Sequence, residues 1–142
     1  MQLRAITIQQ PWAWAIAAGH KRVENRTRRT NVRGMIAIHA GQSNAWMAGG
    51  LEFLIQQGLS VPHDLTVGAV VALAELVDCA ESPEPGCYLR GVELVRDPFA
   101  FGPWCYVLAN VRPLKKPIAC RGQRGWFTVD VPHNVLLTDI AD

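Results

Sequence analysis

The chain has 142 residues, of which 49 % are hydrophobic and 18 % charged, and its formal net charge is +2. This composition excludes a disordered chain, a collagen or coiled-coil repeat and a strongly basic, histone-like protein. We expect residues 1–142 to form a single domain whose core is large enough to be stable without a disulfide or a bound metal.

The first part of the chain predicts a strand, a helix and two further extended segments. Residues 5–8 are predicted to form a short strand, and Pro11 suits the first turn of a helix, where its missing N–H costs nothing. Gly19 is placed to end this helix in a left-handed conformation. Residues 21–26 are then expected to be extended, and a second strand is predicted over 35–40.

A second helix and a buried strand are predicted in the middle of the chain. Ser43 or Asn44 is a candidate cap for the helix, and Gly58 is placed to end it. Residues 67–77 are rich in valine and alternate poorly between apolar and polar side chains. This pattern is typical of a strand that is buried on both faces.

The last part of the chain predicts further strands separated by irregular segments. Residues 81–103 contain repeated Pro and Gly and indicate a long connection with one short element near 88–95. Strands are predicted over 104–111 and 126–131, with a loop or an edge hairpin over 115–125. At least five strands and two helices, few of them in βαβ order, predict an α+β fold, a small mixed β-barrel with two or so flanking helices.

The apolar segments are too short for a membrane-spanning helix. The longest, 67–77, has eleven residues, whereas a spanning helix needs about 20. The apolar patch over 12–18 lacks the basic segment of a signal peptide. The cysteines contain no CxxC pair, so we expect reduced thiols in a cytoplasmic protein without a membrane partner. They are Cys79, Cys87, Cys105 and Cys120.

The small net charge hides a strong segregation of charge along the chain. Residues 1–33 contain seven basic side chains and one acidic one, and residues 112–126 contain five basic side chains and no acidic one. Residues 52–97, between them, contain two basic and eight acidic side chains. If folding joins the two basic clusters, one face is strongly positive and attracts phosphates. The alternative is two separate, solvated basic loops.

Several short motifs occur in a fixed order near the N-terminus. They are QPWA at 10–13, GHKRVENR at 19–26, RG at 33–34 and IAIHA at 36–40. The series resembles the ASCH (activating-signal-cointegrator homology) domain family, with its GxKxxExR core. The runs YVL at 106–108 and VRPL at 111–114 resemble the C-terminal signature of that family.

The resemblance implies a PUA-like β-barrel with a cleft lined by the GxKxxExR residues and an association with RNA binding and RNA metabolism. One small branch of the family hydrolyses the acyl amide of N4-acetylcytidine, and uses a lysine in this motif, a threonine three residues later and a distant glutamate. Lys21 matches the lysine, but Glu24 stands at the position of the threonine, which argues against this activity. Glu75, acidic within an apolar strand, is the candidate for the third residue.

The candidate ligand-binding residues are cations, amides and aromatic rings. Arginine and lysine contact phosphates, amide side chains can read base edges, and indole rings can stack on bases. Core packing is the alternative role for each tryptophan, and an exposed loop is the alternative setting for the arginines. The candidates are Gln10, Trp12, Lys21, Asn25, Arg26, Arg29, Arg33, Arg121, Arg124 and Trp126.

Lys21 and Glu24 are also the candidate catalytic pair. A partly buried lysine near other cations can act as a general base, and a carboxylate can pass a proton to a leaving amine. On a regular strand the two side chains would face opposite sides, so a turn after Gly19 is needed to bring them together. The alternative role of Glu24 is an ion pair that orients Lys21 or Arg26. We find no metal-binding or phosphate-loop motif and expect no cofactor.

Four hypotheses follow from the sequence. The leading one is a protein that binds RNA or a modified nucleoside or nucleotide in a basic cleft, with DNA as an alternative nucleic acid. The others are an amidohydrolase acting on acylated pyrimidine nucleosides, a ribonuclease, and a protein-interaction module that docks through residues 81–103. The aromatic residues in or beside that segment are Phe99, Phe101 and Trp104. The natural ligand and the oligomeric state stay open.

Overall fold

Six strands form one mixed sheet in the computed structural model, which describes residues 1–81, 88–89, 92–93 and 96–135. The elements in chain order are β1 (Gln2–Ile8), α1 (Trp12–Ala17), β2 (Val23–Arg26), β3 (Gly34–Ala40), α2 (Met47–Gln56), β4 (Ala69–Glu81), β5 (Tyr88–Leu89), β6 (Val92–Glu93), β7 (Trp104–Ala119) and β8 (Phe127–Asp130). The sheet order is β2-β7-β4-β3-β1-β8, and β5 and β6 form a separate two-stranded ladder. Among the described strands, β1 and β3 form the only parallel pair.

The long pairing of β4 with β7 is the centre of the sheet. It runs from Ala69 opposite Ala119 to Glu81 opposite Trp104, and its register shifts at three places. Such bulges bend a strand and increase its twist. The valine-rich part of β4 is buried on both faces, as its sequence predicts.

Alternating side chains of the central strands build a core on each face of the sheet. One face carries branched aliphatic residues, including Ile8, Ile38 and Leu76, and packs against α1. The opposite face is smaller and packs against Phe127 and Val129 of β8. No helix of the described residues is both long and apolar enough to cross a membrane.

The predicted α+β class is confirmed, but the sheet is not closed into a barrel, because β2 and β8 remain at its two edges. Side chains link these edges where backbone pairing does not. Arg26 Nη2, at the end of β2, donates to the carbonyl of Thr7 in β1 at 2.6 Å. The Trp126 ring, just before β8, stacks on Tyr106 of β7 with ring centroids 6.3 Å apart. Its Nε1 also donates to Thr30 Oγ1 at 3.1 Å.

The first helix and the strand beside it follow the sequence prediction closely. The positive φ of Gly19, 87°, ends the turn after α1, and β2 is the extended segment that the sequence predicts. The predicted cap of α2 is wrong, because the helix begins at Met47 with Trp46 at its cap and no capping side chain. Ser43 Oγ instead accepts from the N–H of Ala45. Gly58 follows the helix with a φ of 81°, as expected.

The segment 115–125, predicted as a loop or an edge hairpin, is in its first half part of the interior strand β7, which continues to Ala119. Pairing with the start of β4 satisfies the backbone there, with Ile118 opposite Val70. The strand predicted over 126–131 is confirmed as β8. The short element predicted near 88–95 corresponds to β5 and β6, and its remaining residues, with Cys87, lie outside the described residues.

The contacts of Trp126 with Tyr106 and Thr30 form a tether between the two edges of the sheet. Tyr106 makes the stability of this tether sensitive to alkaline pH. Burial, followed by the negative charge of Cys79, raises the pKa of Tyr106 above its ordinary value of 10.0, although Arg26 opposes this. The phenol is neutral in the folded state and donates to the carbonyl of Arg28 at 2.6 Å. The unfolded chain therefore ionises first, and the stabilisation is complete below the unfolded pKa and is lost as pH rises through the raised folded pKa.

We expect Tyr106→Phe to lower the free energy of unfolding by about 1 kcal/mol near neutral pH, because the hydroxyl bond is lost. The difference between the two proteins should shrink as the pH rises above about 10, the ordinary pKa of the tyrosine hydroxyl. Urea unfolding of both proteins across this range measures it. A difference that stays constant would contradict the assignment of the raised pKa to this tether.

Candidate functional site

The turn after α1 brings Lys21 and Glu24 together. The backbone N–H of Lys21 donates to the carbonyl of Ala15 at 2.9 Å, and this bond folds the chain back under the helix. The Lys21 side chain is 2 % exposed, and its Nζ donates to the carbonyl of Val23. Nζ also lies 3.3 Å from Oε1 of Glu24. The turn that the sequence required for this pair is therefore present.

Glu24 joins two cations. Its second oxygen, Oε2, accepts from Nε of Arg26 at 3.0 Å and lies 3.0 Å from Nη2 of the same guanidinium. Both carboxylate oxygens are therefore used in ion pairs, and the three charges sum to +1. Buried ion pairs are favourable only when good geometry and additional hydrogen bonds compensate the free energy that the charges lose on leaving water. The carbonyl groups of Val23 and Thr7 supply those additional bonds.

Aromatic rings surround the buried ammonium group. Nζ of Lys21 lies 5.8 Å from the centre of the Trp12 ring and 5.7 Å from that of Phe99. Phe53 of α2 packs edge-on against both rings, at centroid distances of 5.8 and 5.5 Å. A cation over a ring face is attracted by the ring quadrupole, most strongly where water is excluded.

These residues line a cavity of about 640 Å³, which we call the aromatic pocket. Its wall includes Thr7, Trp12, Lys21, Glu24, Arg26 and Phe99. Two further aromatic rings belong to its lining, Trp46 and Phe101, and they are 57 % and 64 % exposed. Large apolar side chains that are this exposed are candidates for ligand contacts.

The two candidate amide residues have their hydrogen-bonding groups occupied within the protein. Asn25 Oδ1 accepts from the backbone N–H groups of Phe101 and Gly102, both at 2.9 Å, and its Nδ2 donates to the carbonyl of Phe99. Asn25 therefore holds the loop that carries the aromatic rings. Gln10 is 3 % exposed, and its amide bonds the carbonyl of Thr66 and the N–H of Trp14.

A second cavity of about 830 Å³, the basic cavity, lies next to the aromatic pocket. The two share Thr7, Gln9 and Arg26 in their linings. The basic cavity also contains Arg121 and Arg124, and none of its lining residues is acidic. Both arginines are exposed, and neither forms an ion pair with any described residue. The two basic segments of the sequence thus meet at Arg26.

A buried histidine positions the loop that carries these arginines. The His39 ring is 1 % exposed, with Nε2 2.8 Å from the carbonyl oxygen of Cys120 and Nδ1 3.1 Å from Oγ1 of Thr7. Gly122 packs directly on this pair, because a Cβ there would lie 2.8 Å from both His39 Cε1 and Thr7 Oγ1. Burial raises the pKa of the Cys120 thiol, which disfavours the reactive thiolate.

Four sequence candidates line neither of the two cavities: Gln10, Arg29, Arg33 and Trp126. Arg29 is exposed and lines neither of them. Arg33 bonds two carbonyl groups of its own loop, and its Nη2 lies 3.9 Å from Asp78. Trp126 is part of the tether described above and packs against the core.

The residues of the alternative hypotheses are only partly brought together. Glu75 lines neither cavity and accepts a hydrogen bond from Asn110 Nδ2 at 2.7 Å. The lysine, threonine and glutamate set of the hydrolase branch is therefore not assembled around Lys21. Of the aromatic residues proposed for protein docking, Phe99 and Phe101 belong to the aromatic pocket instead.

Trp46 and Thr7 line the site but are not among the residues predicted from the sequence. A tryptophan in a polar segment just before a helix was the available signal for Trp46. Thr7 carries no signal of its own, because its pairing with His39 depends on the parallel register of β1 and β3.

A comparison with known protein families supports the family resemblance that the ordered motifs indicate. The family model of the ASCH domain matches residues 6–117. The match contains all the residues of the aromatic pocket, whereas Arg121 and Arg124 of the basic cavity lie beyond it. A search of curated proteins finds no match.

The buried ion pair gives a stability prediction. We expect Glu24→Gln to lower the free energy of unfolding by about 3–5 kcal/mol, because it leaves the Lys21 ammonium buried without a counter-ion. Adding Lys21→Met should recover part of this loss, since no buried charge then remains. Chemical unfolding of the three proteins measures both effects. A double variant less stable than Glu24→Gln would contradict this account.

Proposed function

Because the chain belongs to the ASCH domain family, whose PUA-like domains are of an RNA-binding type, we propose that it binds RNA or a modified nucleotide across the aromatic pocket and the basic cavity. The observation that carries the proposal is the meeting of the two cavities at Arg26. One cavity offers aromatic surface, and the other offers the guanidinium groups of Arg121 and Arg124, which form no ion pair with any described residue. A nucleotide needs both, because it joins a flat base to an anionic phosphate.

The basic cavity suits the phosphate groups. Arg121 and Arg124 present donors in a fork that matches phosphate oxygens, and no acidic side chain of the lining competes for them. Neutralising phosphates releases counter-ions, so affinity should fall steeply with salt.

The aromatic pocket suits an unstacked base. Proteins that read single-stranded RNA stack the bases on aromatic side chains and bond the base edges. Trp46 and Phe101 supply exposed rings, and the volume of about 640 Å³ is within the usual range for small-ligand sites. Lys21 and Arg26 supply charged donors in the same lining.

Binding is favoured over amide hydrolysis by the state of Glu24. Both of its oxygens are in ion pairs, and Glu75 lies elsewhere. We further propose that the protein acts in RNA metabolism in the cytoplasm. Cys79 and Cys120 are free thiols, which supports a reducing compartment.

The basic cavity can be tested with a charge-matched control. We expect Arg121→Gln combined with Arg124→Gln to weaken binding of labelled single-stranded RNA about tenfold or more and to reduce the slope of log K against log salt by about 1 per lost contact. Fluorescence anisotropy at several salt concentrations measures both.

Lys115→Gln combined with Lys116→Gln is the control. It removes the same charge from the same basic segment, but these exposed side chains line neither cavity. We expect a much smaller effect. Equal losses for the two double variants, or no RNA binding by folded wild-type protein at low salt, would contradict the proposal.

The aromatic pocket can be tested in the same assay. We expect Trp46→Ala and Phe101→Ala each to weaken RNA binding about tenfold, because one stacked base contributes roughly 1–3 kcal/mol. Ile55→Ala is the matched control, since Ile55 is 63 % exposed but lines neither cavity. Affinities unchanged in both aromatic variants would place the bases elsewhere.

A further inference from the structure

Thr7 lies on the wall between the two cavities and belongs to the lining of both. It is opposite His39 in the parallel pairing of β1 with β3. Its backbone carbonyl is held by Arg26 at 2.6 Å, and its hydroxyl lies 3.1 Å from Nδ1 of His39. Main chain and side chain of this residue are therefore both fixed at the boundary.

The bonds of His39 determine which way the Thr7 hydroxyl points its proton. Nε2 lies 2.8 Å from the carbonyl oxygen of Cys120, which can only accept, so this contact assigns the ring proton of a neutral imidazole to Nε2. Nδ1 is then an acceptor, and Thr7 Oγ1 donates its single proton to it. Only lone pairs of Oγ1 remain to face a ligand. The group that binds there must be a donor.

We propose that Thr7 accepts a hydrogen bond from the ribose 2′-hydroxyl and thereby makes the site select RNA over DNA. The inference rests on the proposed function, in which the base enters the aromatic pocket and the phosphate enters the basic cavity. The sugar, which joins base and phosphate, then lies against the shared wall. An ionised phosphate has no proton to donate, whereas the 2′-hydroxyl has one and deoxyribose lacks it.

The test compares three probes of one sequence: single-stranded RNA, the same strand in 2′-fluoro form, and DNA that contains deoxyuridine in place of thymidine. The fluoro form keeps a ribose-like sugar without the donor proton. Wild-type protein should bind the RNA roughly two- to tenfold more tightly than the other two, which is the value of one hydrogen bond. Thr7→Val should abolish this preference by weakening RNA binding only, and Thr7→Ser should retain it.

Thr128→Val is the control, because Thr128 is an exposed strand threonine that lines neither cavity. Thr7→Val also leaves Nδ1 of His39 without its donor, so thermal unfolding is measured in parallel. The readout is the ratio of RNA to DNA affinity, because a loss of folded protein changes both affinities by the same factor.

Equal binding of RNA and deoxyuridine DNA by the wild type would overturn this inference and leave the proposed function standing. A Thr7→Val protein that stays folded by thermal unfolding but loses affinity for all three probes equally would overturn it as well, since the donor would then be on the base. Absence of binding to every probe would overturn the proposed function, and this inference with it.

Discussion

A lysine ammonium that is 2 % exposed has to be compensated inside the protein, because an isolated buried charge is among the costliest groups to remove from water. Here the compensation comes from the Glu24 carboxylate, the Val23 carbonyl and the faces of two aromatic rings. These groups come from three parts of the chain: the edge strand β2, the helix α1 and the loop before β7. The ion pair of Lys21 therefore determines how these three parts of the chain can pack.

The same carboxylate connects the buried charge to the surface. Through Glu24, Arg26 is oriented toward the carbonyl of Thr7, so the edge strand β2 is tied to β1 across the curved sheet. Arg26 thus stands between the aromatic pocket and the basic cavity. The pocket belongs to the part of the chain that matches the ASCH family, whereas Arg121 and Arg124 lie outside that match. The proposed base site thus lies within the residues that match the family model. Much of the proposed phosphate site lies in the segment that follows them.

Local signals predicted the elements whose ends depend on single residues. Pro11 lies at the start of α1 and Gly19 follows its end. The valine-rich sequence of β4 predicts a strand that is buried on both faces. The predictions are wrong where contacts with a distant part of the chain determine where an element begins or ends. The start of α2 is not set by Ser43, and the basic segment after 114 extends as strand because β4 lies beside it. Thr7 was missed for the same reason, since it is not part of a local pattern.

The sequence by itself determined the residue types of the site, the segregation of charge and the turn that brings Lys21 to Glu24, because these depend on neighbours within a few positions. Only the tertiary structure decided which arginines converge. Arg121 and Arg124 line the same cavity as Arg26, whereas Arg33 folds onto its own loop. It also decided that the Thr7 hydroxyl meets His39, because that contact depends on the register of two strands 32 residues apart. Register and sheet curvature are properties of the whole packed sheet, and no short stretch of sequence specifies them.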